Sequence, residues 1–283
     1  MEALLIETSP GIINQVWFAN QGGKLAVFHH GVPKPQPLSP GMLAVFEAAG
    51  YSVACIVRRG YLGSTVTDPA PMIADARVTD AVVRHLGFDS FISLGFSGGG
   101  PRALADAAAL ENCTAAIAFG SVAPVDQGFD AIGEMGEEDR EFVGMIQQAQ
   151  MQLLPQFEQW KQGFIDTPFE KTLPSEDPAV AAWLQTPDAR FRCELPTDLP
   201  FQNGAAGWLL DEISMVSPWG FTPDQISKPT QFITGDADKN VAPSNSKWLA
   251  SQVASSQLIV VPGYEHNRIF CIEQVTAALK RLV

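Results

Sequence analysis

Ser97 stands in Gly95-Phe96-Ser97-Gly98-Gly99, directly after the apolar run Phe91-Ile92-Ser93-Leu94. A strand that turns sharply into a helix holds the residue at its tip in an uncommon backbone conformation, where side chains two positions before and after would collide. Glycine at 95 and 99 removes those side chains. Gly98 and Gly100 add freedom to the turn, and Arg102 to Leu110 reads as a helix of strong formers whose N-terminal N–H groups face the space above the serine. The chemistry suited to this arrangement is nucleophilic attack by the Ser97 hydroxyl. The same glycines lack the following Gly-Lys-Ser/Thr of a phosphate loop, and their spacing is not the Gly-x-Gly-x-x-Gly of a dinucleotide turn.

A serine nucleophile needs a base near neutral pH, and the chain has only four histidines: His29, His30, His85 and His266. His266 follows the apolar run Gln257 to Val261 in the loop Pro262-Gly263-Tyr264-Glu265-His266, which makes it the candidate base. His85 ends a predicted surface helix beside Gly87. The second ring nitrogen of the base needs an acid, and Asp236 and Asp238 share one strand-end loop, Thr234 to Val241. Spacing alone leaves both open. Negative charge developing on a carbonyl oxygen calls for fixed donors, and two backbone N–H groups qualify. One is Gly98, next to Ser97, and the other is Val32, in the turn His30-Gly31-Val32-Pro33, where Pro33 shapes the loop without donating.

These groups must be brought together by the elements between them. Ala3 to Ile6 and Ile13 to Phe18 read as paired strands, and Lys24 to Phe28 as a buried strand ending at His29-His30-Gly31. Met42 to Ala49 reads as a crossover helix, Tyr51 to Val57 as a strand, Ile73 to Leu86 as a helix, and Thr114 to Phe119 as the strand after the Ser97 helix. This alternation predicts a mostly parallel α/β sheet with helices on both faces. The rhythm breaks from Val125. Asp139 to Phe157 and Asp177 to Trp183 are helical in character but divided by Pro155, Pro168, Pro174, Pro178 and Pro187. Strands return at Thr230 to Thr234 and Gln257 to Val261, with helices at Asn245 to Ser255 and Ile272 to Leu282. The expected organisation is a core of residues 1–124 and 216–283 carrying an acidic helical cap at 125–215.

The 283 residues carry a formal charge of −13, and 46% are hydrophobic, as in an ordinary packed globule. Val125 to Glu212 holds 17 acidic against 5 basic residues, and the remainder 14 against 13. With no basic face to replace phosphate counterions, nucleic acid is not an expected partner. No basic segment leads into a long apolar run and no stretch reaches membrane-spanning length, so the expectation is a cytoplasmic protein that does not engage a membrane. Cys55, Cys113, Cys193 and Cys271 are scattered and suit free thiols better than a metal knuckle or a disulfide scaffold.

Taken together, His30-Gly31-Val32-Pro33, Gly95-Phe96-Ser97-Gly98-Gly99, Gly235-Asp236-Ala237-Asp238-Lys239-Asn240-Val241, and Gly263 with His266 resemble the oxyanion loop, nucleophile elbow, acid turn and base turn of the α/β-hydrolase fold family. The likeness covers roughly residues 1–124 and 216–283. It implies a serine-nucleophile, capped member, with the acid falling on Asp238 by the pattern Gly-x-x-Asp-x-x-Val/Pro. Serine at the elbow departs from the relatives that use aspartate there, the epoxide hydrolases and haloalkane dehalogenases, although Arg58 to Ser64 looks like a loop those relatives share. The family often has glycine before its histidine; Glu265 stands there instead, either acting on the base or facing solvent.

The function expected is hydrolysis of carboxylic esters of small molecules through an acyl-enzyme on Ser97, with His266 as base, Asp238 as orienting acid, and Val32 and Gly98 as oxyanion donors. Neither a metal nor an organic cofactor is required. Two alternatives are a proline-iminopeptidase-like aminopeptidase, with Glu134, Glu137, Glu138, Asp211 or Glu212 capturing an amine, and a catalytically silent ligand-binding or interaction protein. Phe96, Trp160, Trp183, Trp208 and Trp219 are candidate pocket residues, with Phe129, Phe142, Phe164 and Phe201 as further apolar material. Trp219 lies in Pro218-Trp219-Gly220-Phe221, where the chain returns to the core. Substrate and oligomeric state are left open.

Overall fold

The computed structural model describes residues 1–133, 135–173 and 177–282. Among them, eight strands form one sheet in the order β1-β2-β4-β3-β5-β6-β7-β8. β1 (Glu2–Ser9) and β2 (Ile12–Ala19) are an antiparallel hairpin, and β2 also runs antiparallel to β4 (Tyr51–Ile56). β3 (Lys24–His29), β5 (Phe91–Phe96), β6 (Cys113–Phe119), β7 (Thr230–Gly235) and β8 (Ser256–Val261) continue from β4 in parallel.

Apolar residues on successive strand positions go to opposite faces, as the pleat requires. In β3, Ala26 and Phe28 join one core, which includes Phe46 of α1 (Pro40–Ala48) and Val275 of α11 (Ile272–Lys280). Leu25 and Val27 join the other, with Val82 of α2 (Asp75–His85), Leu104 of α3 (Gly100–Ala109) and Leu249 of α9 (Pro243–Gln252). Such two-sided covering is what near-continuous apolar strands predict. α2 is preceded by a 3-10 turn at Met72–Ala74.

Between β6 and β7 the chain makes a helical excursion: α4 (Glu137–Ala149), α5 (Leu154–Ile165), α6 (Pro178–Leu184), α7 (Pro187–Glu194) and α8 (Ala206–Met215). The expected division at Pro155 falls elsewhere. The break is at Gln150, whose φ of 45° ends α4, and Pro155 sits in the first turn of α5, where its missing N–H costs nothing. Pro178 and Pro187 likewise open α6 and α7, capped by the Asp177 and Thr186 side chains. Pro174 lies outside the described residues.

Strand order reverses at β3, which is flanked by β4 on one side and β5 on the other. The crevice beyond the carboxyl ends of such a pair is where open α/β sheets hold their ligands. His29 at the end of β3 is in register with Gly95 of β5, so the His30-Gly31-Val32-Pro33 turn and Ser97 emerge side by side.

Candidate active site

Ser97 follows β5 with φ of 54°, in the left-handed region that a side chain occupies at a cost. A Cβ on Gly95 would run into the backbone carbonyl of Gly99, and one on Gly99 into the carbonyl oxygens of His29 and His30. Glycine at 95 thus lets the elbow close on itself, and at 99 it lets the elbow close on the end of β3.

His266 lies just past β8, not in a loop as the sequence suggests but as the first residue of a short helix, α10 (His266–Ile269). Glu265 caps that helix, its Oε2 accepting from the Asn267 N–H at 2.7 Å. Burial raises the Glu265 carboxyl above its ordinary value, partly offset by the Asn267 hydrogen bond. The residue before the histidine therefore holds the helix that carries it. The imidazole is buried, with Nε2 2.9 Å from Ser97 Oγ and Nδ1 2.7 Å from Asp238 Oδ2. Asp238 in turn accepts from the backbone N–H groups of Asn240 (2.9 Å) and Val241 (2.8 Å) through Oδ1. Asp236 is exposed and bonded elsewhere, accepting from the Gly263 N–H at 2.6 Å. The Phe96 ring leans on the imidazole, centroids 5.0 Å apart. Gly120, at the end of β6 with φ of +52°, borders the same pair: a Cβ there would come within 3.2 Å of the His266 ring. Its place after the run Thr114 to Phe119 was the available signal.

The Val32–Pro33 peptide is cis. Val32 lies against Gly98 closely enough that a Cβ on Gly98 would strike the Val32 side chain, so the two backbone segments meet beside Ser97. His30 is buried; its Nε2 accepts from the Arg58 N–H at 3.3 Å and its Nδ1 pairs with the Gly31 carbonyl at 2.7 Å, a set that one neutral tautomer satisfies. Burial, followed by the Arg58 charge, lowers the pKa of this imidazole well below its ordinary value. His29 pairs with Asp106 at 2.8 Å inside the core, and His85 is exposed at the end of α2.

Beneath these loops lies a charge network with no signal in local sequence. Asp211 of α8, 3% exposed, accepts from Arg58 Nε and Nη2 at 2.7 Å each, from Arg102 Nη2 at 3.1 Å and from the Tyr61 hydroxyl at 2.9 Å. Arg58 also donates to the His30 carbonyl at 2.6 Å and the Gly31 carbonyl at 3.2 Å, and Arg102 donates to the Gly98 carbonyl and to Ser214. Burial works to raise the Asp211 carboxyl, but the attraction of Arg58 and then Arg102 holds it below the usual carboxylate range.

Ser97, His266, Gly31, Val32 and Pro33 border a cavity of about 700 Å³. Phe96 and Trp160 line it, as do Phe164, Phe201 and Met215. Trp183, Trp208 and Trp219 do not. Trp208 is consumed in packing against Phe157 (4.5 Å) and Phe164 (4.6 Å) and donates its indole N–H to Glu212 at 2.9 Å. Trp219 is fully buried beside Phe221 on the opposite side of the sheet, and Trp183 packs on Phe169. Phe129 stacks on Trp248, and Phe142 packs on Phe157 and Trp160. Aromatics supply buried area wherever an interior needs it, which is why those that line the cavity and those that do not look alike in sequence.

Of the candidate carboxylates for an amine, Glu137 and Glu138 are exposed on α4, Asp211 is neutralised by its arginines, and Glu134 lies outside the described residues. Among the described members of the set only Glu212 borders the cavity, and burial pushes its pKa up to about 7. The described cysteines are free thiols, three of them buried. Among the described residues no His, Cys, Asp or Glu side chains cluster in a metal-holding group, and no helix is long and apolar enough to cross a membrane.

No family model and no curated protein sequence matches this chain. Solved structures do. An α/β-hydrolase fold protein from Nakamurella multipartita superposes with a TM-score of 0.70 at 21% identity, over 99% of this chain and 97% of that one. An esterase from Exiguobacterium antarcticum gives 0.68 at 20% identity, over 99% and 100%. An epoxide hydrolase from Vigna radiata gives 0.70 at 17% identity, over 99% and 97%. A parallel sheet with an antiparallel hairpin edge, helices on both faces and full-length superposition on these structures give one conclusion: the chain has the α/β-hydrolase fold.

Proposed function

We propose that this protein is a serine hydrolase that cleaves carboxylic ester bonds of small molecules. The observation that carries the proposal is the unbroken hydrogen-bonded chain from Ser97 through His266 to Asp238, opening on a cavity large enough for a small organic substrate. His266 Nε2 takes the Ser97 proton as Oγ attacks the carbonyl carbon, and Asp238 stabilises the imidazolium through Nδ1. The backbone N–H groups of Gly98 and Val32 meet the oxyanion. Collapse of the tetrahedral species expels the alcohol, which receives the proton from His266, and water deacylates Ser97 by the same route in reverse.

The helices between β6 and β7, residues 125–215, act in this reading as a cap over a core of residues 1–124 and 216–283. They supply Trp160, Phe164 and Phe201 as apolar walls. The serine at the elbow and the neutral oxygen nucleophile it provides favour acyl transfer over the chemistry named for the epoxide hydrolase neighbour. Among the described residues the amine-capturing alternative is left with Glu212, and a carboxyl near half-protonation at neutral pH is a weak anchor for an ammonium group.

Hydrolysis of 4-nitrophenyl acetate and butyrate, with fluorophosphonate labelling, tests the proposal. Ser97→Ala is expected to lose turnover by about 10³-fold or more and to lose labelling. Equal rates for wild type and variant would overturn it.

A further inference from the structure

One end of the cavity carries positive charge that the ester-cleaving reading does not use. Lys34 follows the Val32-Pro33 segment directly, and its backbone N–H donates to the Gly31 carbonyl at 3.0 Å, so its position is tied to the loop beside Ser97. Lys34, Arg192, Asn267 and Phe169 border the same cavity as Ser97.

The two cations differ in what they already hold. Arg192 is engaged: it pairs with Asp188 at 3.3 Å and donates to the carbonyl oxygens of Asn267 (3.3 Å) and Phe270. Lys34 is half-buried, with its ammonium 4.4 Å from the centre of the Phe169 ring. Among the described residues no carboxylate lies within ion-pair distance of it, and no carbonyl or hydroxyl accepts from its Nζ. Glu265 attracts it from farther off, with one oxygen already taken by the Asn267 N–H. A partly desolvated ammonium beside a second cation, with an aromatic face as its direct contact among the described residues and Glu265 acting only from farther off, is a site for an anion. One free ammonium, with the neighbouring guanidinium already bonded to Asp188 and to two backbone carbonyls, matches a single negative charge better than a phosphate dianion.

We propose that Lys34 binds a carboxylate on the substrate, so that the preferred esters are small molecules carrying a free carboxylate in addition to the scissile ester. This rests on the serine-hydrolase reading of Ser97. Lys34 acts here as a specificity-determining residue and takes no part in bond making.

The test uses two matched pairs: 4-acetoxybenzoate against its methyl ester, with the carboxylate on the leaving group, and monomethyl adipate against dimethyl adipate, with it on the acyl group. The quantity read is the ratio of kcat/KM for the acid to that for the neutral ester. Wild type is expected to favour the acid in at least one pair. Lys34→Met is expected to lower that ratio about tenfold or more, equivalent to ~1.4 kcal/mol, while Lys34→Arg keeps it. A wild-type preference for the neutral ester in both pairs, or a ratio unmoved by Lys34→Met, would overturn the proposal.

Calorimetric binding of the intact acids and their methyl esters to Ser97→Ala, with and without Lys34→Met, separates this inference from the reading beneath it. Carboxylate binding that needs Lys34 in a protein that hydrolyses none of the four esters sustains the anion site and removes the esterase. Turnover with carboxylate binding indifferent to Lys34 does the reverse.

Discussion

Replacing Asp211 by Asn removes one negative charge at nearly constant volume from a place where two guanidinium groups depend on it. Arg102 keeps Asp75 at 3.3 Å, but Arg58, 3% exposed, is left without a carboxylate. Breaking a buried pair in this way costs about 3–5 kcal/mol, because the surviving charge stays desolvated. Against a total stability of about 5–15 kcal/mol, the variant is expected to fold but to unfold at clearly lower urea concentration. The loss has a pH signature. The native Asp211 carboxyl is held below its ordinary value, so its contribution is present above the unfolded carboxylate pKa and disappears as pH falls through the lower native one. The wild-type advantage over Asp211→Asn should therefore be full at pH 7 and shrink in acid.

A second readout is kinetic. Arg58 and Arg102 hold the carbonyl groups of His30, Gly31 and Gly98, the segments that carry both proposed oxyanion donors. Slackening them is expected to lower kcat for an activated ester about 10–100-fold, with KM moving less. An unchanged urea midpoint would refute the energetic argument. A lowered midpoint with unchanged kcat on the folded fraction would refute the positioning argument and leave the network purely structural.

Three further outcomes are expected. Asp238→Asn should lower kcat about 10³–10⁴-fold with little loss of stability, measured by ester hydrolysis and urea unfolding, since Asn accepts the Asn240 and Val241 N–H bonds but fails to stabilise the imidazolium. Gly99→Ala should destabilise by about 1–3 kcal/mol or more in the same unfolding assay, because its Cβ meets the rigid carbonyls at the end of β3. Glu212 gives the opposite pH signature to Asp211. Its native pKa is raised to about 7, so stability from its neutral form is complete below the unfolded value of 4.5 and is lost as pH rises through 7. Glu212→Gln should therefore match wild type near pH 4.5 and exceed it at pH 8 by about 3 kcal/mol; no difference between the two pH values would contradict the assignment.

The strands were legible because each is an apolar, β-branched or small-residue run closed by glycine or a polar loop, and their alternation with helices leaves few topologies. Ser97 and His266 were legible as candidates for the same reason, since both follow strand ends, although His266 opens a short helix where the sequence suggested a loop. Spacing alone did not separate Asp236 from Asp238, since both occupy one loop; the family resemblance pointed to Asp238, and in the folded turn Asp238 faces His266 while Asp236 ties down Gly263. The Arg58–Asp211 and Arg102–Asp211 pairs span 153 and 109 residues, and a buried charge is indistinguishable in sequence from a solvated one. Among the aromatic residues of 125–221, Trp160, Phe164 and Phe201 border the cavity whereas Trp183, Trp208 and Trp219 do not, and the sequence does not tell them apart for a related reason. Ring size predicts burial, and whether a ring borders a cavity or fills a seam depends on which helix packs above it.

Helix α8 has a bearing on engineering. It is connected in sequence to the helical excursion, yet Asp211 and Ser214 anchor it to the arginines under the elbow, and Met215 approaches Gly98. A chimaera that imports a foreign helical segment between β6 and β7 should accordingly be spliced ahead of Ala206, leaving α8 native. A splice after Met215 would exchange the outer walls of the cavity and, in the same cut, remove the keystone of the loops on which Ser97 and Val32 stand.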